Sequence, residues 1–306
     1  MRLTRRRVLA WTAGLLAAPA TLGACAVGVE PLLLERVVSY RVTPSTWGAT
    51  PTLRIAVLAD LHACEPWMTE RRIESIVAQC NALGADLVVL LGDYVAGHRF
   101  TTGQVPSPNW SRPLARLVAP LGVYAILGNH DWWADETAQR QGRGPVLGRL
   151  ALEAAGIRVL ENEAVRLSLN GSAFWLAGLA DQLALLPGRQ WGRTRMTRLD
   201  DLPGTLAQIP DGAPVVLLAH EPDIFPQVPP SVALTLSGHT HGGQVRLLGY
   251  SPVVPSRFGN RYAYGHVVEE DRHLIVSGGL GCSIAPVRLG VPPEINLVEV
   301  AGPALA

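Results

Sequence analysis

The chain has 306 residues, 48% of them hydrophobic and 17% charged, enough to bury a sizeable core in one large domain or two small ones. Its 26 Lys and Arg nearly cancel its 25 Asp and Glu, leaving a formal charge of +1. Neither sign forms a long run outside the N-terminus, so the composition excludes an electrostatic footprint for wrapping nucleic acid and a polybasic membrane patch in the body of the chain. No nucleic-acid partner is expected, and partner choice has to come from a site.

In chain order, Arg5-Arg6-Arg7 precede an uncharged, mostly apolar stretch over residues 8–29. Paired arginines ahead of a moderately hydrophobic, Ala- and Gly-rich segment resemble a twin-arginine signal, which sends a folded protein out of the cytoplasm. Residues 1–30 are therefore expected to be a signal or anchor, with twin-arginine-type export machinery as a partner and the periplasm or the outer face of the cytoplasmic membrane as the destination. Three fates are open: cleavage after Ala18-Pro19-Ala20, lipid attachment at Cys25, or retention as an anchor that contacts the membrane, since the stretch is long enough to span a bilayer. Removal or acylation of Cys25 leaves Cys64, Cys80 and Cys282, an odd number. Free thiols are expected, and a bridge between Cys64 and Cys282 is the alternative in an oxidising compartment.

Residues 31–52 read as an alternating edge strand over 35–42 and a turn-rich linker over 44–51. The main domain is expected over 53–306. It opens with a continuous apolar run at 53–59, of strand length and bounded by turn signals, as for a strand buried on both faces. Helical spacing of Ile73, Ile76, Val77 and Ala78 predicts a helix over 69–83 stopped by Gly84, and 86–91 is a second buried strand, which makes a βαβ unit. A Gly- and Pro-rich loop over 97–113, a short helix and a third strand at 122–127 follow. Beyond them come a helix over 145–155 and a hairpin pairing 164–169 with 173–178 through Asn170-Gly171. Strands at 214–219 and 232–236 and a strand-rich tail with candidates at 262–268, 273–277 and 295–300 complete the pattern. Parallel repeats followed by hairpins predict an α/β sandwich of two packed sheets flanked by helices, with a site built from loops at strand ends.

Five short motifs stand at the ends of predicted apolar strands: Asp60-Leu61-His62, Gly92-Asp93, Gly128-Asn129-His130-Asp131, His220, and Gly238-His239-Thr240-His241. Any one of them alone is more often a turn or a packed histidine than a ligand. Together they place carboxylates, imidazoles and an amide at the carboxyl ends of strands, where open α/β sheets form binding crevices. Collecting those groups at one edge without a cation would leave desolvated charges and unpaired polar atoms, a cost that divalent ions offset.

This set of motifs, in this order, resembles the calcineurin-like metallophosphoesterases, over the chain from about residue 53 to the end. The resemblance implies a four-layer αββα sandwich, an α/β fold with two mixed sheets flanked by helices. It further implies two divalent metal ions per chain, one held by Asp60, His62 and His241, the other by Asn129, His220 and His239, with Asp93 bridging them. Manganese, iron and zinc all suit such donors. A metal-bridging hydroxide would then attack a phosphate ester, most simply a phosphodiester. His130 is expected to act as the catalytic histidine, with Asp131 orienting its ring.

The segment Gly238-His239-Thr240-His241-Gly242-Gly243-Gln244, with Gly279-Leu280-Gly281 and Pro286-Val287-Arg288-Leu289 in the tail, is similar to a bacterial subgroup of exported or membrane-associated members. That subgroup contains phosphodiesterases and enzymes acting like UDP-2,3-diacylglucosamine pyrophosphohydrolases, so a lipid-linked phosphate ester is the alternative substrate. A non-catalytic metal-binding scaffold is the alternative of another class. Trp67, Trp132 and Trp133 lie beside the motifs as rim or core residues, and Arg189, Arg193, Arg195 and Arg198 as phosphate grips or a solvated loop.

Overall fold

The computed structural model describes residues 21–303, so Arg5-Arg6-Arg7 and the cleavage site after Ala20 lie outside the described residues. A helical segment at Cys25–Val29 and Glu30–Leu33 comes first. The strands are β1 (Arg36–Val42), β2 (Leu53–Leu58), β3 (Cys64–Glu65), β4 (Leu87–Leu90), β5 (Gly103–Gln104), β6 (Val123–Ala125), β7 (Arg158–Val159), β8 (Glu163–Leu169), β9 (Ser172–Gly178), β10 (Val215–Leu218), β11 (Val232–Ser237), β12 (Gly265–Glu269), β13 (Arg272–Val276) and β14 (Glu294–Val300). They form two six-stranded sheets, ordered β1-β14-β2-β4-β6-β7 and β12-β13-β11-β10-β9-β8, plus the small pair β3-β5. β2, β4, β6 and β7 run parallel in the first sheet, and β9, β10, β11 and β13 in the second.

The continuous apolar runs are explained by two-sided burial. Side chains alternate along a strand, so in β2 and β4 Ile55, Val57, Leu87 and Val89 face the second sheet. There they pack with Leu176, Val216, Leu218 and Leu234. Their neighbours Ala56, Leu58, Val88 and Leu90 face the other way, onto Ile73, Ile76 and Val77 of the helix Glu70–Ala82 and onto Leu114 and Leu152. The second sheet repeats this, since Val215 and Leu217 pack outward on Leu202, Ile224 and Phe225. Helices, sheet, sheet and helices make four layers, the αββα sandwich, and each fully buried Val, Leu or Ile contributes about 1.5–3 kcal/mol.

Three details differ from the sequence reading. The loop over 97–113 contains β5 and all but the last residue of the helix Ser107–Leu114, which has Pro in its first turn and buries Trp110 and Leu114. Proline there lacks only an N–H that would have no helical partner. The residues expected as a linker turn inward at Ser45–Trp47, where Trp47 is fully buried, donates to the Pro51 carbonyl at 3.1 Å and packs on Phe174. The strand expected over 262–268 begins at Gly265, because Tyr262 ends a 3-10 turn and its ring is held between Phe225 and Phe258.

Candidate metal centre

Each of the five motifs lies just beyond the carboxyl end of a central strand. Asp60 and His62 follow β2, Asp93 follows β4, Asn129 and His130 follow β6, His220 follows β10, and His239 and His241 follow β11. Asp60, His62, Asp93, His239 and His241 have φ of 55°, 47°, 56°, 68° and 51°. Non-glycine residues enter this left-handed region at a cost of about 1–3 kcal/mol each, so such a concentration marks loops shaped for a site rather than for stability. Two motif glycines are required by close approach. A Cβ on Gly128 would lie 2.3 Å from Asp93 Oδ1, and one on Gly238 would lie 2.7 Å from Asp60 Oδ2.

The side chains converge in two groups. The ligand atoms of Asp60, His62 and His241 lie within 4.8 Å of one another, as do those of Asp93, His220 and His239. Asp93 reaches both groups, with Oδ2 3.2 Å from His220 Nε2 and 3.6 Å from His62 Nε2. Asn129 joins the second group through Oδ1, 2.9 Å from His239 Nδ1. His62 Nδ1 contacts the Val95 carbonyl at 3.0 Å and His220 Nδ1 the Leu91 carbonyl at 2.6 Å, so these Nδ1–H groups donate to backbone and each Nε2 turns inward. His220 Nε2 faces Asp93 Oδ2 at 3.2 Å. His62 Nε2 and His241 Nε2 stand 3.0 Å apart.

Electrostatics agree with this geometry. Burial pushes His62 down to about 3 and lowers His239, and burial together with His62 and Arg288 holds His241 well below the ordinary imidazole value. These rings are neutral and offer lone pairs. Burial raises Asp60 to about 7, with the Asp93 charge adding to it. Burial also works against ionisation of Asp93, but the imidazoles of His220, His130 and His62 outweigh it and hold that carboxyl well below its ordinary range. On His220 burial disfavours charge, yet Asp93 raises its pKa well above the usual value, so a proton stands where the donors converge. Facing imidazole nitrogens and buried carboxylates are a donor set that fits two divalent cations, whose binding would displace that proton.

The family profile described as Calcineurin-like phosphoesterase matches residues 53–243. The chain belongs to this family. It is 29% identical to the uncharacterized metallophosphoesterase YkuE of Bacillus subtilis over 97% of both chains. It is also 29% identical to phosphodiesterase YaeI of Escherichia coli, over 97% of this chain and 99% of that one. Among solved structures it aligns with the NAD nucleotidase NadN of Haemophilus influenzae at a TM-score of 0.45 and 14% identity, covering 76% of this chain and 46% of that one, about half its length. The calcineurin-like phosphoesterase is thus a metal-dependent hydrolase of phosphoester bonds, with clustered His and Asp residues able to bind a dimetal centre.

In this calcineurin-like phosphoesterase His130 sits above the cluster, its ring 4.9 Å from that of His62 and 5.0 Å from that of Trp133. Its Nε2 is 3.3 Å from Ser283 Oγ. A Cβ on Gly97 would fall 1.9 Å from His130 Cε1, so that glycine makes room for the ring. The expected role of Asp131 is corrected here. Its carboxylate does not reach the His130 ring and instead accepts from the backbone N–H groups of Asp93, Tyr94 and Gly128 at 2.9–3.0 Å. It clamps two metal loops together, because three short amide bonds to one buried carboxylate saturate it.

Sequence reading also missed Arg288. Its guanidinium is fully buried, donates to the carbonyls of Gly278, Gly281 and Val291, and lies 3.2 Å from His241 Nδ1. Of the tryptophans, Trp133 lines the cavity over the ligand cluster, Trp132 is core, and Trp67 donates to the Phe100 carbonyl at 2.6 Å. Arg193 binds the Leu186 and Gln139 carbonyls, so it ties a loop rather than gripping a phosphate. All four cysteines are free, so Cys64 and Cys282 do not pair. The cavity holds about 670 Å³, with Asp93, Asn129, His130, His239 and His241 on one side and Phe100, Val253 and Ile284 among its apolar lining. A second pocket of about 430 Å³ shares His239 and Pro255 with the first and is lined by the charged Arg198, Glu221, Asp223 and Arg257 together with Leu183 and Met196.

Proposed function

We propose that this phosphoesterase is a phosphodiesterase of the exported, membrane-associated branch of its family. The observation that carries the reading is the pair of ligand groups joined through Asp93, with His130 above them at the floor of a cavity and a second pocket opening beyond His239. A diester presents two alcohol substituents, and two compartments meeting at one histidine suit them. The near full-length similarity to the E. coli protein named as a phosphodiesterase supports the same reading.

Asp60, His62 and His241 would hold one ion, Asn129, His220 and His239 the other, and Asp93 both. Manganese, iron or zinc suits these donors, and bound divalent ions supply Lewis acidity and a water acidic enough to act as nucleophile near neutral pH. His130, with Nε2 beside Ser283 Oγ, donates a hydrogen bond or proton to the phosphoryl oxygen or the leaving alkoxide. Gly97 and Trp133 keep its ring in place, and Asp131 keeps the Asp93 and Asn129 loops in register. Export rests on Arg5-Arg6-Arg7 and the apolar stretch after it. The proposed location is the periplasm or the outer face of the cytoplasmic membrane, reached by twin-arginine-type machinery, with the N-terminus cleaved, lipidated at Cys25 or kept as an anchor. A lipid-linked ester is the alternative substrate there.

The test is hydrolysis by the metal-depleted chain after re-addition of manganese, iron or zinc, with bis-p-nitrophenyl phosphate compared with p-nitrophenyl phosphate. Metal-restored turnover that favours the diester is expected. Turnover of the monoester alone, or of neither with both sites filled, would overturn the reading. Mass spectrometry of the N-terminus after expression in an export-competent cell separates the three fates, and a chain that stays full-length in the cytoplasm would end the export proposal.

A further inference from the structure

Three apolar features beyond the ligand cluster are joined by one strip of backbone. The first is a hairpin tip in which Leu247 and Tyr250 exchange backbone hydrogen bonds of 2.9 Å. Leu248 and Gly249 make its turn with φ of 50° and 82°. Asn or Gly fills such a position at low cost, whereas leucine adopts it under strain. Leu248 is also fully exposed, and Leu247 and Tyr250 beside it are more than half exposed, at 54% and 62%. A strained leucine with its side chain in water adds nothing to the fold that carries it.

The second feature is the mouth of the cavity. Phe100, Val253 and Ile284 line it and still expose 63%, 64% and 67% of their surface. The third is the segment Cys25–Val29 and Glu30–Leu33, which exposes Val27, Val29, Leu32 and Leu33 and is preceded in sequence by the uncharged apolar residues 8–20. One short strip of backbone supports all three. Arg246 N–H donates to the Leu289 carbonyl at 2.7 Å, and Arg288 N–H to the Ala26 carbonyl at 2.8 Å. Gln244 Nε2 donates to the Ala285 and Val287 carbonyls at 2.9 Å, and both residues line the cavity.

Single exposed leucines are ordinary, but a cluster of them around a cavity mouth marks an interaction surface. We infer that this face docks on a lipid bilayer and that the ester enters the cavity from it, apolar portion first. The apolar stretch that runs into the third feature points to a bilayer as the occupant, and so does the narrow protruding tip. A protein partner seated there would close the cavity, whereas a bilayer would supply its substrate. The entry of an ester rests on the phosphodiesterase reading; the docking face does not.

The test uses the metal-loaded full chain with Cys25→Ser, labelled with an environment-sensitive fluorophore at Leu248→Cys or, at the amino-terminal end of β9, at Ser172→Cys. With phosphatidylglycerol and phosphatidylcholine vesicles, a blue shift and quenching by a lipid-borne quencher are expected at position 248 and not at 172. In parallel, Leu248→Asp with Tyr250→Asp should lower turnover of a vesicle-borne phospholipid diester about tenfold while soluble bis-p-nitrophenyl phosphate is unchanged. A label at 248 that stays in water, or an equal loss on both substrates, would overturn the inference. A shift at 248 with hydrolysis of neither substrate would leave the docking face standing and bring down the diesterase reading.

Discussion

The metal edge and the cavity mouth are built from the same kind of loop and treat their residues in opposite ways. At the edge, Asp60, His62, Asp93, Asn129, His220 and His241 are buried to the last two per cent, Asp60, His62, Asp93 and His241 sit in left-handed backbone, and packing is so close that Gly128 and Gly238 have no room for a Cβ. At the mouth, Phe100, Val253 and Ile284 are apolar and stand in solvent, as does Leu248 at the hairpin tip. Reversing the usual partition in both places costs stability twice, which teaches that the two regions divide the work. Buried donors set the reaction, and exposed apolar side chains set what is brought to it.

That division can be broken first at its centre. Asp93→Ala removes the carboxylate shared by both ligand groups, and diester hydrolysis should fall by about a thousandfold or more together with bound metal. Metal content by elemental analysis that stays at two ions with full turnover would show that Asp93 does not join the groups. His130→Ala removes none of the proposed ligands and keeps the backbone N–H that donates to Asp93, so it should lower turnover about a hundredfold while both ions remain. A parallel loss of metal would instead place His130 among the ligands.

Arg288→Met sits between the two regions, since this buried side chain joins the loop that lines the mouth to His241 at the edge. Leaving the Gly278, Gly281 and Val291 carbonyls unpaired should destabilise the fold by about 3 kcal/mol, read by denaturant unfolding, and weaken metal binding about tenfold. Unchanged affinity would show that His241 needs no such support.

The smallest expected effect is on pH dependence. Burial raises Asp60 from its ordinary 3.8 to about 7 in the metal-free chain. A carboxyl with a raised folded-state pKa contributes stability that is fully present below the unfolded value and lost as pH rises through the folded one. Stability of the metal-free chain from this group therefore declines between 3.8 and about 7. Bound cations replace the proton, so the gap in Tm between loaded and depleted protein should be wider at about pH 8 than at about pH 5.5. A gap that narrows with rising pH would mean that Asp60 is not a ligand.

Much of this was legible from residue order alone. Apolar runs at 53–59, 86–91 and 214–219 could hardly be anything but buried strands, and the polar residues that end them had to collect at strand ends, because strand length and two-sided burial are local properties of the chain. The five polar motifs could be singled out on those grounds, and the resemblance they carry named Asp60, His62, Asp93, Asn129, His220, His239 and His241 as the ligand candidates among them. Their convergence into two groups sharing Asp93 was decided by the packing of one sheet on the other.

Contacts between distant segments carry no periodicity and leave no mark in the sequence. Only the tertiary structure could turn Asp131 from the His130 ring to three backbone amides, bring Ser283 to His130 across 153 residues, or set Arg288 behind His241. It likewise drew Trp47 out of an apparent linker into the core and left Leu248 alone at a strained tip. The sequence by itself determined which chemistry the strand ends carry, since ligand types and strand patterns are read residue by residue. The tertiary structure decided which loops face that chemistry, because that depends on how two sheets and their connections pack in space.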